Sequence, residues 1–279
     1  MKRIGIIYHP TKVAAAKLAV ELEELVQARG LSVWLCSASE TDTAREQAEG
    51  TDLIVSIGGD GTILRAAQAV APRPIPISGI NLGNLGFMTE LSVDEVEEKL
   101  FSLIAGEGWL DERCLLEAEI PVSEANPGPQ RFYALNDVVI THGAIARMIH
   151  VEASIDDEPL TTYKADGVIV STATGSTGYS LAANGPILHP QAQEMLLLPI
   201  VPHLSTSYKL VLPPATVIKL KVNTDRMTLL TVDGHITANI PSGTIITVKR
   251  SSSTVHFLRI HNKTTFYGSL DKRLKGKQP

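Results

Sequence analysis

Gly58-Gly59-Asp60-Gly61-Thr62 sets a carboxylate inside a run of glycines. Glycine lets a backbone turn sharply and approach a ligand closely. The run follows the apolar stretch Leu53-Ile54-Val55-Ser56-Ile57 and precedes a helical pattern. Asp60 therefore stands at the carboxyl end of a buried strand and at a helix start. A helix start offers free N–H groups and partial positive charge, which suits phosphate. An acid there repels phosphate, so it needs a task of its own, as a base or beside a metal ion. The plainer alternative is a strand-to-helix turn in which Asp60 caps the helix. The loop is neither a G-x-x-x-x-G-K-[ST] phosphate loop nor a G-x-G-x-x-G dinucleotide fingerprint.

Two further constellations carry polar chemistry. Asn136-Asp137 interrupts the apolar run Ala134–Ile140, either as a strand-edge bulge or as an amide and a carboxylate for paired ribose hydroxyls. Tyr163-Lys164-Ala165-Asp166-Gly167 leads through Val168-Ile169-Val170 into Ser171-Thr172-Ala173-Thr174-Gly175-Ser176-Thr177-Gly178-Tyr179-Ser180. That stretch is rich in hydroxyls and glycines and can supply N–H and O–H donors to a polyanionic or sugar-bearing ligand. Lys164 can neutralise a phosphate as a point charge. The bland reading is a solvated Ser/Thr/Gly loop. His142, His189, His203 and His235 have no metal-ligand spacing and read as structural or peripheral, and no G-x-S-x-G elbow is present.

The elements that must position these residues differ between the two parts of the chain. The first hundred residues alternate strand and helix. Ile4–Tyr8, Leu31–Cys36, Asp52–Ile57 and Pro76–Ile80 read as strands. Thr11 is the expected cap of a helix running to about Arg29, with Leu18, Leu22, Leu25 and Val26 on one face and Gly30 just past its end. Thr62–Val70 is a second helix. Ser92 caps a third, with Glu95 as its capping-box partner and Val96, Leu100, Leu103 and Ile104 as its stripe. Such alternation predicts a parallel sheet covered on both faces, with ligands beyond the strands' carboxyl ends. Both Gly58–Thr62 and Asn81-Leu82-Gly83-Asn84-Leu85-Gly86-Phe87 lie there.

From about Leu110 short β-rich runs replace the helical stripes: Leu115–Val122, Arg131–Thr141, Ile149–Ile155, Gly167–Thr172, Tyr208–Leu212, Thr216–Val222, Met227–Val232, Thr244–Lys249 and Val255–Ile260. Asn126-Pro127-Gly128-Pro129 and Asp233-Gly234 are turn signals between them. This is the pattern of an all-β sandwich. Gln191–Leu198 is the best helix candidate within it, and Lys272–Lys277 reads as a solvated tail.

Composition bounds the partners. The chain has 279 residues, 44% hydrophobic and 20% charged, with a formal net charge of −5. No overall basic field draws it to nucleic acid or a membrane surface. Its first residues read as a strand rather than a signal peptide, and no segment is long and apolar enough to span a bilayer. Cys36 and Cys114 lie in apolar runs and read as buried free thiols, which points to the cytoplasm.

Taken together, the motifs resemble those of the NAD kinase family over nearly the full length. They are Gly58–Thr62, Gly79–Glu90, Asn136-Asp137, Lys164–Gly167 continuing to Asn184-Gly185-Pro186-Ile187-Leu188-His189-Pro190, and Asp233-Gly234. Gly-Gly-Asp-Gly alone is shared with lipid and sugar kinases; the long motif is more specific. The resemblance implies an α/β N-terminal domain, residues 1–108, with a parallel sheet and helices on both faces. It implies an all-β sandwich-like, NAD-binding C-terminal domain, residues 109–262, and a tail, 263–279, that can return to the first domain.

The implied reaction is transfer of the ATP γ-phosphoryl group to the 2′-hydroxyl of the adenosine ribose of NAD, giving NADP. Asp60 would be the base, with Mg²⁺ or another divalent cation carried chiefly by ATP. Gly58, Gly59, Gly61, Thr62 and Arg65 would meet phosphate. Asn136 and Asp137 would hold ribose, and Phe87 would pack on a base. Thr177, Gly178, Tyr179, Ser180 and Ala182 would line the dinucleotide site. Lys164 and Asp166 match family substrate contacts, with a subunit boundary left open; Arg147 and His235 lie at contact positions outside the tight motifs. A homo-oligomer, dimer or tetramer, is implied as well. Asp137 departs from the commoner glutamate by one methylene, and Ala173 and Gly178 stand where proline and alanine are expected. The rival readings are a lipid or sugar kinase sharing the glycine loop and a non-catalytic dinucleotide-binding regulator.

Overall fold

The computed structural model describes residues 1–83, 86–121, 128, 130–143, 148–203, 208–224, 227–263 and 266–275. Arg147, Asn84, Leu85, Val122, Asn126, Pro127, Pro129 and the tail beyond Lys275 lie outside the described residues. The chain divides into two compact units: residues 1–113 with 253–279, and residues 114–252.

The first unit begins with β1 (Arg3–Tyr8), α1 (Val13–Ala28), β2 (Ser32–Ser37), α2 (Thr41–Gln47), β3 (Leu53–Ile57), α3 (Asp60–Val70), β4 (Ile77–Asn81), β5 (Leu91–Ser92) and α4 (Val96–Ala105). β1 pairs in parallel with β2 and β3, and β4 pairs in parallel with β3 and β5. The strands are near-continuously apolar because both faces are covered. One face packs Ile4, Ile6, Leu53, Val55 and Ile57 against Leu18, Leu22 and Val26 of α1 and Leu100 and Leu103 of α4. On the other face Gly5 leaves room for the Trp34 ring, and Gly79 for Ile63 of α3. Each fully buried Leu or Ile contributes roughly 1.5–3 kcal/mol.

The caps follow the sequence in part. Gly30, with φ of 75°, lies beyond α1, and Ser92 with Glu95 forms the expected capping box. Thr11 does not cap α1. Lys12 is the N-cap, without a side-chain bond, and both the N–H and the hydroxyl of Thr11 turn to His9 Nδ1, at 3.3 and 3.5 Å.

β6 (Trp109–Ile120) leads into the second unit. There follow β7 (Gln130–Ala134), β8 (Asp137–His142), β9 (Ile149–Ile155), β10 (Glu158–Ala165), β11 (Gly167–Ser171), α5 (Tyr179–Ala182), β12 (Met195–Ile200), β13 (Leu210–Leu212), β14 (Val217–Asn223), β15 (Thr228–Val232), β16 (Ile236–Ile240) and β17 (Ile245–Arg259). One antiparallel sheet runs β13-β12-β11-β8-β15-β16. Facing it, β10, β9, β14 and the first part of β17 pair antiparallel in that order. Alternate residues of the two layers meet in one core, with Val138, Ile140, Val168 and Val170 against Ile149, Val151, Ile218 and Leu220. This is a β sandwich.

Three readings from sequence are corrected here. Residues 195–200 form a strand, not the end of a helix. Every residue of β12 is buried, so the apolar run marks a central strand rather than an amphipathic helix. Arg131–Thr141 is two strands broken at Leu135-Asn136. The lysine-rich end forms α6 (Phe266–Lys275), which belongs to the first unit. Cys36 and Cys114 are buried free thiols, as read. Among the described residues no helix is long and apolar enough to cross a membrane.

Candidate active site

In the first unit the glycine turn is built by β3 and α3. Gly58 donates its N–H to Ile80 O at 2.9 Å, which ties the turn to β4. A side chain at Gly58 would collide with the Thr62 hydroxyl and come within 3.3 Å of His9 Cβ. Gly59 is the N-cap of α3, so Asp60 is its first residue and not its cap. The Asp60 carboxylate instead reaches the second loop. Its Oδ2 accepts the Phe87 N–H at 2.8 Å and its Oδ1 the Met88 N–H at 3.0 Å. Gly86 lies directly against it, and a Cβ there would clash with the carboxylate. Each oxygen keeps a lone pair for a further donor.

Cations stand around this turn. Burial, then Lys12, then Arg65 lower the pKa of His9, so Lys12 and Arg65 cast a positive field at the end of β1. His9 and Lys12 escaped the sequence reading; their place directly after a parallel strand is the signal that could have found them. Beneath the second loop runs a buried ionic chain. Arg259 Nη1 donates to Met88 O at 2.8 Å and to Glu90 at 3.2 Å, and its Nε to Asp111 at 3.3 Å. Asp111 also pairs with Arg113, and Glu90 accepts the N–H groups of Ile260 and His261. Burial and then Arg113 lower the pKa of Arg259, while Glu90 and Asp111 act the other way.

In the second unit the organising residue is Asp233. Asp233 and Gly234 have φ of 48° and 72° and form the tight turn between β15 and β16. With His235 they make a three-residue loop between the paired Val232 and Ile236, and their positive φ values suit a tight turn between twisted strands. The Asp233 carboxylate accepts N–H from Leu135 at 2.9 Å, Asn136 at 2.7 Å and Asp137 at 3.2 Å. It thereby fixes the break before β8. Burial, then the charge of Asp233, pushes the Asp137 carboxyl up to about 7.

The hydroxyl-rich stretch packs on this break. Thr172 Oγ1 donates to Leu135 O at 2.6 Å and accepts the Gly175 N–H at 3.0 Å. Ser171 donates to Asn136 O, Ser176 to Ala173 O and Thr177 to Thr174 O. These hydroxyls therefore shape the loop from within. Asn136 Oδ1, Ser180 Oγ and His235 Nε2 are buried and have no hydrogen-bond partner among the described residues.

Beside them lies a cavity of about 430 Å³ lined by Asn136, Asp137, Val139, Thr141, Tyr179, Thr231, Asp233 and Gly234. Asp137, Val139 and Thr141 share one face of β8 through its two-residue period. That period could have found Thr141 from sequence; Thr231 enters only through the pairing of β15 with β8. Gly178 borders the same two residues, its Cβ position lying 3.4 Å from Asn136 Nδ2 and 3.9 Å from Asp137 Oδ2. His235 joins through Nδ1, 2.9 Å from Asp233 O. Ala182 is exposed at the end of α5. Lys164 is exposed on β10, and Asp166 follows it with its N–H on Ile200 O; neither lines the cavity.

A parallel α/β unit with an acid in a glycine turn among cations, and a β sandwich with a cavity bordered by Asn136, Asp137 and Asp233, define a protein built to handle phosphate and ribose. Residues 36–108 match the ATP-NAD kinase N-terminal domain, and residues 135–260 match the ATP-NAD kinase C-terminal domain. The chain is 47% identical over 276 residues to the NAD kinase of Dehalococcoides mccartyi, covering 99% of this chain and 96% of that one. It is 38% identical to the NAD kinase of Chloroflexus aggregans, covering 99% of each. The chain belongs to the NAD kinase family.

Two solved structures share its fold. Yeast NADH kinase complexed with NADH has a TM-score of 0.88 at 23% identity, covering 99% of this chain and 87% of that one. An NAD kinase from Archaeoglobus fulgidus in complex with ATP has a TM-score of 0.76 at 26% identity, covering 98% of each.

Proposed function

We propose that this protein transfers the γ-phosphoryl group of ATP to the 2′-hydroxyl of the adenosine ribose of NAD, giving NADP and ADP. The observation that carries the reading is the Asp60 carboxylate, held by two backbone N–H groups at the start of α3. In this reading Asp60 accepts the 2′-hydroxyl proton as the oxygen attacks the γ-phosphorus and the bond to the ADP oxygen breaks. Gly58, Gly59, Gly61 and Thr62 admit phosphate to the backbone, and Arg65 and Lys12 supply positive charge, while His9, its pKa lowered beside them, stands there as a neutral ring. The second unit holds NAD. Asn136 and Asp137 bind ribose hydroxyls, Tyr179 and Thr177 flank the dinucleotide, and Ser180 and His235 offer it their unpartnered atoms. Phe87 packs on a base. Lys164, Asp166, Ala182 and Arg147 are carried by the family resemblance alone.

Among the described residues no three His, Cys, Asp or Glu side chains gather into a metal-ligand set. The family resemblance implies a divalent cation carried chiefly by the ATP phosphates, and such an ion needs at most one or two protein carboxylates. When bound, it would neutralise the charge on those phosphates. A homo-oligomer follows from the family resemblance only, and sedimentation tests the assembly; a cytoplasmic location rests on the two free thiols. A lipid or sugar kinase sharing only the glycine turn has no support in a similarity that runs the whole length. A regulator that merely binds has no use for an acid beside phosphate.

The test is a coupled assay of NADP formation from NAD, ATP and Mg²⁺, with Asp60→Asn alongside. The expected loss of kcat is about 10²–10⁴-fold, the usual scale for a positioned base, with NAD binding retained. Full turnover by the variant would remove Asp60 from the role of base.

A further inference from the structure

Asp60 is fixed by two successive peptide groups, and each is also held from its other end. The N–H of the Gly86–Phe87 peptide donates to Asp60 Oδ2, and its carbonyl, Gly86 O, accepts Arg273 Nη1 at 2.9 Å. The N–H of the Phe87–Met88 peptide donates to Asp60 Oδ1, and its carbonyl, Phe87 O, accepts the same Nη1 at 2.8 Å. Both peptides therefore lie, N–H to carboxylate and C=O to guanidinium, between Asp60 and Arg273. The guanidinium also stands 5.8 Å from the centre of the Phe87 ring.

This is more than a tie between a helix and a loop. A cation on a carbonyl polarises the peptide and strengthens its N–H as a donor, so the two hydrogen bonds in each chain reinforce each other. The charges also feel one another. Burial and then Arg259 lower the pKa of Arg273, and Asp60 acts against them. The guanidinium stays charged throughout the accessible pH range. Arg273 lies on α6, beyond the residues that match either family domain.

We infer that Arg273 is a positioning residue for phosphoryl transfer, acting through the Gly86–Phe87 and Phe87–Met88 peptides to hold the Asp60 carboxylate in register with the attacking hydroxyl. The inference rests on the reading of Asp60 as the base. Arg259 donates instead to Met88 O and Thr89 O, the next two carbonyls along the loop.

The test is a double-mutant cycle on the full chain. Arg273→Met should lower kcat about tenfold to a hundredfold, the scale on which misplacement of a reacting group acts, with KM for NAD and ATP within about twofold. Arg273→Lys, which keeps the charge and one donor, should recover part of the loss. In an Asp60→Asn background, Arg273→Met should cost less than about twofold, because the group it positions is already disabled. A loss of the same factor in both backgrounds, or a loss confined to KM, would overturn the proposal and leave α6 a structural prop. Unchanged kcat in Arg273→Met would overturn it too. Full turnover by Asp60→Asn would instead sink the reading of Asp60, a separate and recognisable failure.

Discussion

Asp60 and Asp137 each stand at the start of an element beside a buried strand, and the two units treat their carboxylates differently. Asp60 is met by N–H groups, and the side chains around its turn are cations: Lys12 and Arg65 set the field at His9, and Arg273 lies behind the peptides that bind it. Asp137 lies buried beside a second carboxylate, Asp233, which has taken its backbone N–H. Burial and Asp233 push it up to about 7. The first environment suits an acid that must stay put and take a proton at a chosen moment. The second suits a group that holds hydroxyls through hydrogen bonds and changes protonation within the working range of pH.

The sharpest way to break the first half of that comparison is Gly86→Ala. The added methyl would lie 2.9 Å from Asp60 Oδ2 and nearer still to the rest of the carboxylate, so the acid must move. A displacement of that order costs about a hundredfold in kcat when it falls on a reacting group. KM should change little. If kcat survives, Asp60 does not depend on its present place, and the base must be sought elsewhere.

Asp137→Asn tests the second half, with a smaller effect and a pH signature. A carboxyl that titrates near 7 is mostly protonated at pH 6 and mostly ionised at pH 8. If the ionised form accepts ribose hydroxyls, KM for NAD falls as pH rises through about 7 and Asp137→Asn flattens the profile. At pH 8 the variant's KM should rise about tenfold, the scale of a hydrogen bond to a charged group. Stability must move the other way. The unfolded chain releases this proton near 3.8 and the native chain near 7. The contribution is therefore present below about pH 4 and is lost as pH rises through about 7. Its slope is at most about 1.4 kcal/mol per pH unit within that window. Denaturant midpoints that rise with pH across this range, and a variant identical to the parent, would contradict the assignment.

The same comparison explains what was legible in the sequence. Gly58–Thr62 could be read because everything that makes it a site is local: a buried apolar strand, then glycines, then a helix. Asn136-Asp137 could be read because two polar residues break an apolar run. The partners that give these residues their character are distant. Asp233 lies about a hundred positions from Asn136, and Arg273 more than two hundred from Asp60. No local pattern brings them together. Arg273 sat in a charged tail that resembled solvated chain, although Phe266, Leu270 and Leu274 follow a helical spacing there. Gln191–Leu198 looked helical, since leucine favours helices, and burial of Met195–Ile200 between β11 and β13 overrides that preference.

Gly178→Ala is the counterpart of Gly86→Ala, and it should do almost nothing. Gly178 has φ of −95°, outside the left-handed region that favours glycine. A methyl there would lie 3.3 Å from Gly175 O, 3.4 Å from Asn136 Nδ2 and 3.9 Å from Asp137 Oδ2. Those contacts need a shift of a few tenths of an ångström, and the Asn136 side chain can give by that much. KM for NAD should stay within about threefold and kcat should not move, since neither hydrogen bond nor charge is lost. A tenfold rise in KM would mean that the dinucleotide itself packs against Gly178 Cα in the space the methyl would take. The glycine would then be part of the binding surface, as Gly86 is part of the seat of Asp60. A null result would leave the two glycines with different duties: one needed for close approach to a carboxylate, the other replaceable beside the ribose pocket.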